Sequence, residues 1–399
     1  MTVRHTRRAF LSAATMMAAA LAATACGSPQ DTATGGGDSA APVKVGLVYS
    51  QSGALASYGK QYVEGFKAGL DFATKGTGKV GDRKIELTEV DDAGDPAKAV
   101  SAAKDLIGKG TKIIAGSTAS GVALQVAPIA AQNKVLFISG PAATDAVTGA
   151  NKYTFRSGRQ SYQDVVTAKS FIGDAAGKKV VVFAQDGAFG DANEAAVKAV
   201  IGSAGATVSS VRAPASATEF TPFASQIKAA KPDLLFVAWA GTTAPAMWQT
   251  LDQQGVLSST TVVTGLDIRA SWPTFGAAGA KISFLSHYFD GASDTEASKA
   301  LKAKVNTIDL FHPDGFAAAQ MVVRAVQEGG DDVDKMVTAL EGWSFDGVKG
   351  KMTIRAADHA LLQPMFQAKL TGSGTAFTAT AQKSLTGDET APPAVAMKG

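Results

Sequence analysis

Cysteine and histidine are both scarce in this chain of 399 residues. Cys26 is the single cysteine, so no disulfide can form within the chain, and four histidines leave little material for a zinc site. The sequence contains no Walker A motif and no G-x-S-x-G nucleophile elbow, and His287, His312 and His359 form no H-x-x-x-H pair. These absences argue against an ATPase, a hydrolase or a metal-dependent enzyme, and we expect no cofactor and no metal.

A net charge of one sign is also missing from most of the chain. Three of the 38 basic residues and none of the 35 acidic residues lie in residues 1–25, so the remaining residues carry no net charge. A nucleic-acid-binding protein needs a basic face to neutralise phosphates, and nucleic acid is therefore not an expected partner. Hydrophobic residues make up 46% of the chain, which is enough to bury large cores, and the length favours two to three domains.

Residues 1–25 are predicted to be an export signal. They contain Thr6-Arg7-Arg8-Ala9-Phe10-Leu11, which is similar to the twin-arginine signal, and an Ala-rich apolar run shorter than the roughly 20 residues of a spanning helix. The run ends at Ala23-Thr24-Ala25-Cys26, which resembles a lipoprotein processing site, although such sites usually have Leu where Ala23 stands. The alternative is a plain signal peptide with a coincidental cysteine.

Small and polar residues follow the apolar run. Residues 26–42 lack apolar periodicity and are typical of a flexible linker, which would span roughly 20–25 Å. The globular part is therefore expected outside the cell, anchored to the outer face of the cytoplasmic membrane by a lipid on Cys26.

Strand and helix patterns alternate from Val43 onward. Predicted strands lie at 43–49, 85–90, 112–115 and 135–138, and in a second series at 180–184, 207–212, 234–238 and 261–263. Predicted helices lie between them at 58–72, 95–108, 121–132, 190–203, 218–230 and 244–254, and residues 295–340 look helical before two more strands at 351–354 and 363–370. Two consecutive series predict an α/β fold with two doubly wound parallel-sheet lobes.

Two local motifs are given structural rather than chemical roles. Residues 76–81 fit G-x-G-x-x-G but follow a predicted helix and precede a strand, the reverse of a dinucleotide cradle. Residues 91–96, Asp-Asp-Ala-Gly-Asp-Pro, are interpreted as a turn and helix N-cap rather than a calcium loop.

An ordered set of segments at the carboxyl ends of predicted strands carries a family resemblance. The segments are Gln51-Ser-Gly-Ala-Leu-Ala-Ser-Tyr-Gly59, Asp91–Pro96, Gly116-Ser-Thr-Ala-Ser-Gly121, Ile138-Ser-Gly-Pro-Ala-Ala-Thr144, Tyr153-Thr-Phe-Arg156, Phe220-Thr-Pro-Phe223 and Lys231-Pro-Asp233. The set resembles the type I solute-binding proteins of ABC transporters, in the leucine/isoleucine/valine-binding branch, over residues 43–370.

The resemblance implies a discontinuous domain layout with hinged closure around a ligand. Residues 43–156 and 290–362 would form lobe 1, residues 157–289 and 363–385 lobe 2, and residues 386–399 a C-terminal tail. The implied hinge crossings lie near 155–157, 287–290 and 363–366.

The resemblance also implies ligand-binding residues in lobe 1. Ser120 and Thr144 would donate hydroxyl hydrogen bonds to a ligand carboxylate, and Ser120 sits just before the helix predicted at 121–132, whose N terminus favours an anion. A plain helix N-cap is the alternative for Ser120. Ala119 and Ala142 are small where backbone would approach the ligand, and Tyr58 would form a wall of the pocket or pack in its own helix.

In lobe 2, Gly265-Leu266-Asp267 stands where the family has Gly-Pro-Glu, whose acid pairs with the ligand ammonium. Asp267 would take that role with a shorter side chain, or cap a turn. Phe189 and Trp239 stand where branched-chain binders have tyrosines, with a core role as the alternative for Phe189. For Arg156 bracing of the hinge is favoured over an anion clamp, whereas the role of Arg159, which departs from the family pattern, stays open.

The resemblance implies a substrate-binding lipoprotein of an ABC importer rather than an enzyme. We expect a monomer that captures a small amino acid or a related amide or carboxylate and delivers it to ABC permease subunits. The alternatives are a binding protein for an aromatic or other organic acid, a ligand-sensing receptor of the same fold and, in a third class, an exported hydrolase.

Overall fold

The computed structural model describes residues 41–373 and 376–398. The predicted signal peptide, the lipidated Cys26 and nearly all of the linker predicted at 26–42 lie outside the described residues. Within the described part of the chain the strands form three sheets, and no helix there is long and apolar enough to span a bilayer.

The first sheet is built from the first βα series. Its strands are β1 (Val43–Tyr49), β2 (Lys79–Val80), β3 (Arg83–Asp91), β4 (Ile113–Gly116), β5 (Leu136–Ser139) and β6 (Thr154–Arg156), in the order β2-β3-β1-β4-β5-β6. All of them are parallel except β2, which pairs antiparallel with β3. The accompanying helices are α1 (Ala56–Ala73), α2 (Pro96–Gly108) and α3 (Ser120–Asn133), with a 3-10 helix at Asp145–Val147.

The second sheet contains the second series and two late strands. Its strands are β7 (Lys179–Gln185), β8 (Thr207–Ala213), β9 (Leu234–Ala238), β10 (Thr261–Gly265), β11 (Ile282–Ser286), β15 (Met365–Ser373) and β16 (Ala376–Leu385), in the order β16-β15-β11-β10-β9-β7-β8. Strands β7 to β11 are parallel, whereas β15 and β16 add antiparallel to the edge at β11. Its helices are α4 (Ser161–Ala168), α5 (Ala188–Val200), α6 (Thr221–Ala230), α7 (Ala244–Gln253) and α8 (Val256–Ser259), with 3-10 helices at Lys169–Phe171, Gly202–Ala204 and Arg269–Lys281.

The remaining elements return to the first sheet. They are α9 (Glu296–Val305), α10 (His312–Gly329), α11 (Val333–Leu340) and the small third sheet of β12 (Ser344–Gly347), β13 (Gly350–Ile354) and β14 (Leu361–Leu362). Apolar side chains of β1, α1, α10 and β13 share one buried core, which includes Leu47, Phe66, Met321 and Ile354. We call β1–β6, α1–α3, α9–α11 and β12–β14 the first half, and β7–β11, α4–α8, β15 and β16 the second half.

The described chain passes between the halves after β6, after β11 and after β14. The predicted fold class, two parallel-dominated sheets flanked by helices, is therefore confirmed. The helical region predicted at 295–340 is broken into α9, α10 and α11, because Asn306 and Gly330 adopt positive φ angles, which cannot continue a right-handed helix, at the ends of α9 and α10.

Helices α1 and α10 pack so closely that glycine is required between them. A β-carbon on Gly315 would overlap the carbonyl oxygen of Tyr62, and one on Gly69 would lie 2.5 Å from the carbonyl oxygen of Phe316. The obstacles are backbone atoms, which no change of rotamer can move. The small residues thus fix the distance between the two helices of the first half that also contribute to the site.

Gly315→Ala is expected to destabilise the protein by about 2–3 kcal/mol, because the added methyl forces α1 and α10 apart. Thermal unfolding followed by circular dichroism measures this loss. The matched control is Gly108→Ala at the end of α2, where an added β-carbon meets no atom within 4 Å. Equal melting temperatures for the two variants would contradict the packing argument.

Candidate ligand-binding cleft

The carboxyl ends of the strands of both sheets open into a cleft between the halves, where ligands of open α/β sheets bind. The cleft has a volume of about 310 Å³. The first half contributes Tyr58 of α1, Phe311 and residues 118–121 at the start of α3, and the second half contributes residues 185–189 after β7 and Ala240 after β9. Arg159, on the first passage between the halves, also lines it.

A smaller cavity of about 60 Å³ adjoins the cleft and shares Tyr58, Arg159, Ala240 and Phe311 with it. We call it the inner cavity. Its other polar lining residues are Asp164, Asn193, Trp239, Asp267, Ser286 and His287. The inner cavity is therefore much more polar in composition than an ordinary gap in a hydrophobic core.

Tyr58 and Asp267 meet across the cleft. The Tyr58 hydroxyl donates a hydrogen bond of 2.7 Å to Asp267 Oδ1 and accepts one from the backbone N–H of Gly241. The N–H of Ile268 also donates to Asp267 Oδ1. Burial raises the pKa of the Asp267 carboxyl above its ordinary value, although these hydrogen bonds act in the opposite direction. Asp267 thus places an acceptor group where a ligand cation would be desolvated.

The structure separates the lobe 1 residues predicted for the carboxylate. Ala119 and Ser120 line the cleft, with Ala119 as the N-cap residue of α3 and Ser120 as its first residue. Thr144 and Ala142 are almost fully buried and are not among the cleft-lining residues. Thr144 donates its backbone N–H to Ser120 Oγ at 3.2 Å, and its own hydroxyl accepts the N–H of Ala146. Thr144 therefore orients Ser120, and its hydroxyl caps the 3-10 helix that begins at Asp145.

Phe189 and Trp239, the residues that stand where branched-chain binders have tyrosines, line different cavities. Phe189 lines the cleft at the start of α5, and Trp239 lines the inner cavity after β9. The Trp239 ring also packs against Phe183 and Phe220, with centroids 5.3 and 5.2 Å away, and its Nε1 donates to Thr243. Trp239 therefore packs in the core and also forms part of the wall of the inner cavity, whereas a core role had been given as an alternative only for Phe189.

Arg156 and Arg159 differ in what surrounds them. The buried Arg156 donates to the carbonyl oxygens of Ala142, Thr144, Gly158 and Arg159, so it braces the first passage. Burial lowers its pKa to about 10.

Arg159 instead faces both cavities. Its Nη1 donates to the carbonyl of Pro141, its Nε lies 3.2 Å from Asp164 Oδ2, and its guanidinium stands 6.0 Å from the centre of the Phe311 ring. Arg159 is thus the cation of the cleft, held against an acid and an aromatic ring.

The lining residues that the sequence analysis did not assign to the site include Asp164, Asn193, His287 and Phe311. Asp164 belongs to α4, a helix that was not predicted because its buried residues mix the polar Gln163 and Asp164 with the apolar Val165 and Ala168. His287 was placed at a hinge crossing, but nothing in the sequence pairs it with an acid 27 residues later. His287 follows β11 (Ile282–Ser286), a strand that the sequence analysis did not predict, so a search for polar residues just beyond the predicted strands would not have found it.

A buried charge cluster joins the passages behind the inner cavity. Lys349 Nζ lies 2.8 Å from Asp314 Oδ1 and 2.6 Å from Gln363 Oε1, and His287 Nε2 lies 3.7 Å from Asp314 Oδ2. A β-carbon on Gly158 would stand 2.9 Å from Asp314 Oδ2. Asp314 of α10 therefore lies beside residues of the first and second passages, and Lys349 connects it to Gln363 on the third passage.

The fold and the two-sided cleft define a class of protein, the two-lobed solute-binding proteins. A family model for periplasmic binding proteins matches residues 42–375, and the chain belongs to that family. Among relatives, the Leu/Ile/Val-binding protein BraC3 of Rhizobium johnstonii is 27% identical over 322 residues, covering 78% of this chain and 87% of that protein.

Solved structures agree with this assignment. A branched-chain amino acid ABC transporter protein of Rhodopseudomonas palustris is 30% identical, covers 88% of this chain and 99% of its own, and superposes with a TM-score of 0.72. A solute-binding protein of R. palustris in complex with 4-hydroxybenzoate is 22% identical, with coverage of 86% and 97% and a TM-score of 0.79, a likeness of fold alone. This chain is therefore an extracytoplasmic solute-binding protein of an ABC transporter, which binds a small molecule and does not transform it.

Proposed function

We propose that the cleft captures a small amino acid as a zwitterion. The supporting observation is the opposition of a carboxylate, Asp267, to a hydroxyl at a helix N terminus, Ser120, in cavities that share the wall residue Tyr58. A ligand carboxylate is favoured near the first N–H groups of α3, and a ligand ammonium is favoured beside Asp267. A cleft of about 310 Å³ suits a small ligand.

Binding of the amino acid would replace a hydrogen bond that already exists in the unliganded cleft. The ligand ammonium would donate to the Asp267 carboxylate, which accepts from the Tyr58 hydroxyl in the unliganded protein. Tyr58 packs against Phe311 with ring centroids 4.7 Å apart, so its ring stays in place as a wall when the hydroxyl changes partner.

We further propose the setting in which this capture takes place. A lipid on Cys26 would hold a monomer at the outer face of the cytoplasmic membrane, and the protein would deliver its ligand to the permease subunits. The lobes that close around the ligand would be residues 43–156 with 290–362 and residues 157–289 with 363–385, corresponding to the two halves.

An aromatic or other organic acid is the second candidate ligand. Arg159 favours it, because this cation lines both cavities beside the Phe311 ring and could pair with a carboxylate. Such a ligand would have no ammonium for Asp267. The R. palustris protein of similar fold that was solved with 4-hydroxybenzoate is a reason to include aromatic acids in the ligand screen.

A thermal-shift screen decides between the two ligand classes. We expect one or more amino acids to raise the melting temperature, with a stabilisation of about 2.7 kcal/mol at 100 times the Kd. Small-angle scattering of the same mixtures should show a protein no larger than the unliganded one. Stabilisation by benzoates together with no response to any amino acid would overturn the amino-acid proposal in favour of the organic acid.

A further inference from the structure

We propose that the inner cavity is a subsite for an uncharged polar group at the far end of the ligand, a hydroxyl or a carboxamide. This inference rests on the proposed function, because it assumes that the ligand lies in the adjoining cleft. It separates this chain from a binder of branched aliphatic side chains, since an aliphatic group offers no hydrogen bonds.

Unpaired polar atoms in the walls of the inner cavity carry the inference. Within the described residues, Asp164 Oδ1 and His287 Nε2 are buried and have no hydrogen-bond partner. Arg159 Nε also makes no hydrogen bond, but it lies 3.2 Å from Asp164 Oδ2 in an ion pair. Asp164 is 4% exposed and His287 is 3% exposed. Buried polar atoms of folded proteins are nearly always paired, so these atoms call for a guest that can donate and accept hydrogen bonds.

The charge balance of these walls argues against a charged guest. The guanidinium of Arg159 stands beside the carboxylate of Asp164, and the two charges offset one another. Burial, together with the positive charges of Arg159 and Lys349, holds the pKa of His287 well below its ordinary value, so its ring is neutral. Asp267 also lines the cavity, but its charge is assigned to the ligand ammonium.

The chemistry and size of the guest follow from the same walls. A carboxamide has two N–H donors and one oxygen acceptor, and a hydroxyl has one donor and two acceptor lone pairs, so either can serve Asp164 and His287 together. The volume of about 60 Å³ accommodates roughly four water-sized groups. That is enough for the end of a short side chain but not for a second ring.

Isosteric ligand pairs test the subsite on the wild-type protein. Calorimetry compares asparagine with leucine and threonine with valine, pairs that differ in the polar group at nearly constant shape. We expect the polar member to bind at least about 10-fold tighter, because its apolar partner leaves buried groups unpaired. Equal affinity within the pairs that bind would overturn the subsite while leaving the proposed function standing, whereas no binding by any amino acid would overturn both.

Two histidine variants test the assignment to these residues. His287→Phe is expected to reduce the preference for the polar member by about 10-fold or more while leaving the affinity for the apolar member within a factor of about three. The control is His359→Phe, a buried histidine stacked on Phe155 at 3.8 Å that lines neither cavity, which should keep the preference. An unchanged preference in His287→Phe would overturn the role of His287, and should that variant fail to fold, the wild-type pairs still decide the subsite.

Discussion

Asp267→Ala is expected to weaken amino-acid binding by about 3–5 kcal/mol, or two to nearly four powers of ten, as measured by calorimetry. The variant leaves the ligand ammonium desolvated in a cleft from which its charged partner has been removed. The unliganded variant should melt somewhat below the wild type, because the Tyr58 hydroxyl and the N–H of Ile268 both lose their acceptor. The loss of affinity is therefore measured on the folded variant at a temperature well below its melting point.

The matched control for that loss is Asp105→Ala. Asp105 is an exposed acid near the end of α2 that pairs with Lys109 at 2.6 Å and lines neither cavity. Its removal should leave the affinity unchanged, since exposed ion pairs contribute little. An affinity in Asp267→Ala equal to that of the control would reject a zwitterionic ligand and favour the organic acid held by Arg159.

Lys349→Met is expected to destabilise the folded protein by about 3–5 kcal/mol, because it leaves the carboxylate of Asp314 buried without its cation. The side chains of Lys349 and Asp314 are 1% and 0% exposed, so water cannot replace the lost partner. For a chain of this length, that loss corresponds to a fall in melting temperature of roughly 4–7 °C. Differential scanning calorimetry measures it.

The loss of stability in Lys349→Met should depend on pH in a direction that follows from the pKa of Asp314. Burial already raises the pKa of Asp314, and removal of the lysine raises it further, so the folded variant binds a proton more tightly than the unfolded chain. Its stability therefore increases as the pH falls, and the deficit relative to wild type should be smaller at pH 5 than at pH 8.

A double variant identifies the cause of the deficit. Lys349→Met combined with Asp314→Leu removes both charges and keeps apolar bulk at the two positions, so it should recover most of the lost stability. A double variant as unstable as Lys349→Met alone would show that packing, rather than an unpaired charge, explains the loss.

Much of the fold follows from runs of apolar residues. Strands β1 and β9 have the predicted bounds, Val43–Tyr49 and Leu234–Ala238, because a strand buried on both faces is marked by a continuous apolar run. Strand β16 escaped prediction because only Phe377 and Leu385 in its sequence are buried and apolar. Its place in the sheet depends on pairing with β15, which is not encoded in its own periodicity.

Prediction of the site was limited by contacts between distant segments. Tyr58, Ser120 and Asp267 were named from the family resemblance. The structure places each of them at one of the two adjoining cavities. The fit of Thr144 beneath Ser120 depends on a hydrogen bond between loops 24 residues apart. The pairing of Arg159 with Asp164 required α4, a helix with polar residues on its buried face.

The segment after β16 adds a mechanical constraint. Strand β16 ends at Leu385 in the second half, but the chain then returns to the first half. There the carbonyl of Pro392 accepts a hydrogen bond from Arg355. The N–H of Val395 donates to Asp358, and the N–H of Lys398 donates to the carbonyl of Gly149. Residues 386–398 thus form a strap that runs alongside the passages between the halves. If one half rotates away from the other, the strap must either become more extended or lose its contact with Asp358. The length of the strap therefore limits how far the cleft can open.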